Sequence, residues 1–301
     1  MMEGAVPRAR VRRKLARENP TSSFDDNGDI PRYPDPLIIP PASGIHAQSI
    51  IILHGRGSNA KAFAEPLLLL ETPRYGTLQT AFPTAKFIFP TAPRTLVTRS
   101  KKASMNQWFD FWSLQDPELK PEIQIQGLRS TVRYVHGLVR EESEKVGGGN
   151  VVLWGMSQGC AAGLVSALLW EGEEIGAVVG MCGWLPSCKM MEAAVGEEGD
   201  GEEVRGFQKA VSALRQVLDL PSESDRQTGL GTPVFIGHGE EDGTVSVRLA
   251  EQAVSMLKGI KVEVEYRSYA GLDHWYSEEM LGDIIAFIKG RFEKNGEAAS
   301  T

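Results

Sequence analysis

Cysteine is scarce in this chain, with three among 301 residues, Cys160, Cys182 and Cys188. So few, so irregularly spaced, make neither a disulfide framework nor a zinc site, and the expectation is a reducing, cytoplasmic setting. Long apolar runs are missing too. None approaches the ~20 residues of a membrane helix, and the charged N-terminus lacks the apolar segment of a secretory signal. Nor is positive charge in surplus. Against 32 Lys and Arg stand 39 Asp and Glu, a net charge of -7, which argues against a general nucleic-acid binder.

What is present suits one large core. At 42% hydrophobic and 24% charged residues, the composition fits a single α/β domain of common size. Residues 1–43 carry Arg8, Arg10, Arg12, Arg13, Lys14 and Arg17 and then Pro, Asp and Asn without apolar periodicity. They are expected to form a disordered basic tail. The domain is expected over 44–294, with an insert at 187–231 and a flexible end at 295–301.

Within the domain, short β-branched runs alternate with helical patterns. Strands are predicted at Ser49 to Leu53, Lys86 to Phe89, Val151 to Trp154, Ile175 to Met181, Pro233 to Ile236 and Lys261 to Tyr266. Helices are predicted around Ala60 to Leu70, along the stripe Ile125, Leu128, Val132, Val135 and Val139, and over Ala161 to Leu169, Phe207 to Leu218, Ser246 to Leu257 and Ser277 to Phe292. The alternation specifies a mostly parallel, doubly wound sheet with helices on both faces. Thr91 to Pro121 is a long connection whose aromatic residues speak against disorder.

The chemistry centres on Gly155-Met156-Ser157-Gln158-Gly159. A buried strand runs into this segment and a helix leaves it. That setting gives the short Gly-x-Ser-x-Gly pattern its weight, because a serine on so sharp a bend exposes its hydroxyl at the strand's carboxyl end. The small flanking residues let strand and helix approach. A serine hydroxyl is a weak nucleophile at neutral pH, so an imidazole must take its proton and a carboxylate must orient the imidazole. Downstream lie only two histidines, His238 and His274. The order Ser157, Asp242, His274 puts each group at the end of a strand, where open α/β sheets build their sites. Asp273 stands next to His274, but side chains one residue apart do not readily meet in an orienting geometry. The developing oxyanion needs N–H donors. Gln158, just after the serine, supplies one, and Arg56 in the loop His54-Gly55-Arg56-Gly57 is the choice for the second. His54 reads as structural.

These segments, together with Phe89-Pro90-Thr91-Ala92-Pro93, Trp108-Phe109-Asp110, Trp184-Leu185-Pro186, His238-Gly239-x-x-Asp242-x-x-Val245 and Gly271-x-x-His274, resemble the acyl-protein thioesterase, or phospholipase/carboxylesterase, family of α/β-hydrolases. The resemblance implies an α/β-hydrolase fold, the triad roles for Ser157, Asp242 and His274, and hydrolysis of esters and thioesters without cofactor or metal. Lipidated proteins are among the substrates it implies. Ser58, Thr91, Cys160 and Ser246 depart from the family's usual Asp, His, Gly and Pro. With the insert, which is expected to reshape the acyl pocket, they leave a small-molecule carboxylesterase or lysophospholipase as the alternative. A hydrolase fold that binds a ligand without turning it over is a third reading.

Overall fold

A computed structural model describes residues 31–100, 103–196, 203–221 and 231–298. Most of the basic tail, the middle of the insert and its last part, and residues 299–301 therefore lie outside the described residues.

Seven strands form one sheet: β1 (Leu37–Ile39), β2 (Gln48–Leu53), β3 (Ala85–Phe89), β6 (Val151–Met156), β7 (Ala177–Met181), β8 (Val234–Gly239) and β9 (Val264–Tyr269). A separate hairpin pairs β4 (Arg94–Leu96) with β5 (Ser104–Asn106). In the sheet the order is β1-β3-β2-β6-β7-β8-β9, with β1 antiparallel to β3 and every other pairing parallel. The helices are α1 (Ala60–Leu69), α2 (Leu78–Ala81), α3 (Glu122–Val146), α4 (Gln158–Leu168), α5 (Cys188–Val195), α6 (Glu203–Val217), α7 (Val247–Gly259) and α8 (Glu278–Ala298). This is the doubly wound α/β-hydrolase architecture expected.

Alternation along β2 shows how the sheet is covered. Ile50 and Ile52 pack with α1, α2 and α8, whereas Ile51 and Leu53 pack with α3, α4 and α7. All four are fully buried, so a run with no polar alternation marks a strand buried on both faces. Among the described residues no helix is long and apolar enough to cross a membrane.

Four expectations need correction. The tail does not run to residue 43, because Leu37–Ile39 pairs with β3 and Tyr33 stacks on Tyr134 with ring centroids 3.9 Å apart. The chain from 31 onward is part of the domain. At the other end α8 continues to Ala298, and Asn295 donates to the Gly149 carbonyl at 2.6 Å, so residue 295 is no boundary. The last strand is shifted to Val264–Tyr269. Ile260 and Val262 are buried in the turn before it, and their apolar signal drew the predicted strand too early. The insert also behaves differently: Met191, Phe207, Ala210 and Leu214 are buried in the same core as α3 and α7. Its described helices, α5 and α6, are a structural layer.

Candidate active site

β6 delivers Ser157 to the carboxyl edge of the sheet, and α4 starts one residue later. The bend is tight enough to force Ser157 to φ 55°, ψ -119°, a region costly for any side-chain-bearing residue and held here by the elements around it. The Ser157 N–H anchors it by donating to the Met181 carbonyl at 2.7 Å. Close approach explains the two glycines. A methyl at Gly155 would lie 2.2 Å from the Gly159 carbonyl oxygen, and one at Gly159 would lie 2.3 Å from that of Leu53.

Two further strand ends bring the partners. Asp242 follows β8, and His274 follows β9. His274 Nδ1 lies 2.7 Å from Asp242 Oδ2, and His274 Nε2 lies 3.0 Å from Ser157 Oγ. An ionised carboxylate only accepts, so the proton sits on Nδ1 and the Nε2 lone pair faces the hydroxyl. Asp242 Oδ1 accepts the amides of Thr244 and Val245 at 2.9 and 2.8 Å. Burial by itself would raise this carboxyl, yet hydrogen bonds from His238, His274 and the Val245 amide, with the attraction to His274, outweigh it. The acid is held well below the usual carboxylate range.

Arg56 and Gln158 flank the serine in a pocket of about 310 Å³, whose walls include Phe63, Phe111, Met156, Trp184 and Trp275. Among the described residues neither backbone N–H has an acceptor, and the helix start at Gln158 aims its dipole into the same space. No described residue of the 187–231 insert lines this pocket.

Metal ligation is the competing use of these groups. Ligand atoms of Cys182, Asp242 and His274 all lie within 4.8 Å of one another. Burial pushes the Cys182 thiol up to about 12, and it donates to the Trp275 carbonyl at 3.2 Å. Asp242 and His274 meet at direct hydrogen-bond distance, which leaves no room for an ion between them as they stand.

The sequence profile of the phospholipase/carboxylesterase family matches residues 35–198 and 210–291. The chain belongs to that family. As a member it is a serine hydrolase of carboxylic esters or thioesters. It is 27% identical to an acyl-protein thioesterase 1 of Gibberella zeae, over 84% of this chain and 94% of that one. To the carboxylesterase SOBER1 of Arabidopsis thaliana it is 28% identical, over 81% of this chain and 90% of that one. The crystal structure of SOBER1 superposes with a TM-score of 0.60 at 25% identity, covering 81% of this chain and 99% of that chain. The family match resumes at 210 after ending at 198, so α5 and the second half of α6 fall within it.

The family frame leaves several neighbours of the site unread in the sequence. His238 is fully buried on the far side of Asp242, with Nε2 at 3.1 Å from Oδ2 and 2.9 Å from the Val245 carbonyl. Its place in the His238-Gly239-x-x-Asp242 motif was the available signal. Gln158 contributes a side chain as well as an N–H: its Oε1 accepts the Trp108 amide at 2.9 Å and its Nε2 donates to the Phe109 carbonyl at 2.6 Å. The long aromatic connection is thereby tied to the residue beside the serine. His54 is structural as expected, donating from Nδ1 to the Gly55 carbonyl at 2.7 Å and accepting the Ala92 amide at Nε2 at 3.0 Å. Burial drops its pKa to about 4. Cys160 is buried at the start of α4, and a methyl at Gly180 or Gly183 would meet its sulfur at 2.6 or 2.5 Å. It is a packing residue.

Proposed function

We propose that Ser157, His274 and Asp242 act as a catalytic triad, with the N–H groups of Arg56 and Gln158 as oxyanion donors, and that the enzyme cleaves acyl thioesters of lipidated proteins. The observation that carries the reading is His274 bridging Ser157 Oγ at 3.0 Å and Asp242 Oδ2 at 2.7 Å. His274 Nε2 takes the Ser157 proton as Oγ attacks the acyl carbon. The carbonyl oxygen becomes an oxyanion facing the two N–H groups, each worth ~3–4 kcal/mol of barrier, while Asp242 stabilises the imidazolium. When the tetrahedral intermediate collapses, the C–S or C–O bond breaks and His274 returns its proton to the departing thiol or alcohol. Water, deprotonated by His274, then hydrolyses the acyl-enzyme and restores Ser157.

The thioesterase preference is supported by the likeness to acyl-protein thioesterase 1 and by the apolar pocket walls. A second reading, a small-molecule carboxylesterase, is favoured by the likeness to the carboxylesterase SOBER1. Three free cysteines, all buried, support a reducing cytoplasmic location. Purified protein given thioesters and oxygen esters of graded chain length tests the choice. A kcat/KM that rises with chain length and favours thioesters supports the first reading, and a maximum at two to four acyl carbons with oxygen esters preferred replaces it with the second.

A further inference from the structure

Arg56 has a side chain as well as a backbone N–H, and the two point to different jobs. It is the one permanently charged side chain among the residues described around the pocket beside Ser157, whose other walls are mainly aromatic and aliphatic. A guanidinium in such surroundings is costly unless its donors are used.

Its setting fixes it in one orientation. The Nε–H donates to Gln107 Oε1 at 2.9 Å, and Nη2 donates to Asp110 Oδ1 at 3.3 Å. Phe111 covers one face, with its ring centroid 4.2 Å from the guanidinium carbon. Gln107 is itself pinned and buried, since its Nε2 donates to Thr95 Oγ1 at 2.9 Å and to the Leu96 carbonyl at 3.0 Å. Asp110 is largely spent elsewhere. Its Oδ2 accepts the Thr98 amide at 2.7 Å and its Oδ1 the Phe111 amide at 2.9 Å, so the guanidinium receives one long contact from a carboxylate already bound to two N–H groups.

Gln107 and Asp110 occupy the side formed by Nε and Nη2. The end formed by Nη1 and the second Nη2 hydrogen is left, with no partner among the described residues. Two parallel N–H groups there match the spacing of two oxygens on a carboxylate or phosphate. Because side chain and ring already hold the fork, little further ordering is needed when an anion docks.

We propose that the Arg56 side chain is a specificity residue that binds a carboxylate or phosphate group of the substrate within the active-site pocket. The proposal rests on the ester-hydrolase reading above and adds the charge of the substrate to it.

The test uses two matched pairs of esters on the full chain. In the first, mono-p-nitrophenyl glutarate is compared with p-nitrophenyl valerate, which puts a carboxylate on the acyl side. In the second, 1-butyryl-glycerol 3-phosphate is compared with 1-butyryl-glycerol, which puts a phosphate on the alcohol side. The quantity read is the ratio of kcat/KM on the anionic ester to that on its neutral partner. This ratio cancels any effect that a substitution has on the oxyanion site and so isolates recognition of the anion. In Arg56→Gln the ratio falls by about tenfold in at least one pair, mainly through KM, as expected for a lost charge-assisted pair. Arg56→Met, which keeps the packing on Phe111, shows the same fall and serves in its place if the glutamine variant does not fold. A fall of less than about fivefold in both pairs overturns the proposal while leaving the hydrolase reading intact. If the parent protein turns over none of the four esters, that reading fails, and this proposal with it.

Discussion

Asp242 Oδ2 lies 2.7 Å from His274 Nδ1, although 32 residues separate the two in the chain. Asp273, the immediate neighbour of His274, turns its Oδ1 instead to the amides of Gly243 and His274, at 3.1 and 2.7 Å. Asp242→Asn keeps the shape but not the charge that holds the imidazole tautomer and stabilises the imidazolium, so turnover of a soluble ester should fall by ~10³–10⁴-fold. Asp273→Asn, whose amide oxygen still accepts both N–H groups, should cost less than about tenfold. Steady-state rates of the two variants, with circular dichroism to verify folding, decide between them. The reverse ranking would move the orienting role to Asp273.

Two glycines of α4, four residues apart, should respond oppositely to the same methyl. At Gly159 the added carbon meets the Leu53 carbonyl oxygen at 2.3 Å, backbone that cannot turn aside. Gly159→Ala should therefore lose ~2 kcal/mol or more of stability. At Gly163 the nearest atoms are Leu153 and Leu53 side-chain carbons at 3.9 Å, an ordinary contact. Gly163→Ala should gain up to ~1 kcal/mol through helix propensity. Urea unfolding measures both, and equal losses would contradict the close approach of α4 to the sheet at Gly159 alone.

Stability should fall on mild acidification because of two buried histidines. Burial lowers His54 to about 4 against the weaker pull of its hydrogen bond to Gly55. Burial likewise lowers His136 to about 4, reinforced by Arg140 and Arg215 and opposed by its bond to the Ser166 carbonyl. Unfolded, each would take up a proton near 6.5. Between those values the unfolded chain binds more protons than the folded one, so stability is fully present above about 6.5 and is lost as pH falls towards 4. At pH 5 the loss is on the order of 2 kcal/mol per histidine relative to pH 7. Chemical unfolding at the two pH values should show it, with a smaller drop in His136→Gln. Equal stability at both would mean that these histidines are protonated in the folded chain.

The parts of the fold that could be read in the sequence are those buried on both faces. Residues 50–53 of β2, with β6 and β7, are continuous apolar runs because nothing in them meets solvent, and the ends of β2 and β6 lead into the Arg56 loop and Ser157. Edge elements carry no such signature. β1 is three residues long, is flanked by Pro36 and Pro40, and leaves Ile38 44% exposed, so only its pairing with β3 reveals a strand. β9 is the opposite edge, and two of its six residues are exposed. The helix α5 escapes a reading by period because Cys188–Val195 is eight residues long with two buried positions, too few for a period to show. In the site, residues named by a motif were legible. The clamp on Arg56 was not, because Gln107 is 51 residues away and only the hairpin's geometry brings it near.

Every role in the site depends on Ser157 as the nucleophile, and the most direct measurement is the hydrolysis of a short p-nitrophenyl ester by Ser157→Ala, read alongside covalent labelling by a fluorophosphonate. The parent should turn over the ester and take up one label, and the variant should take up none and lose ~10⁴-fold or more in kcat while keeping the parent's circular dichroism. A folded variant that retains activity within about tenfold of the parent, or still labels, would contradict the assignment.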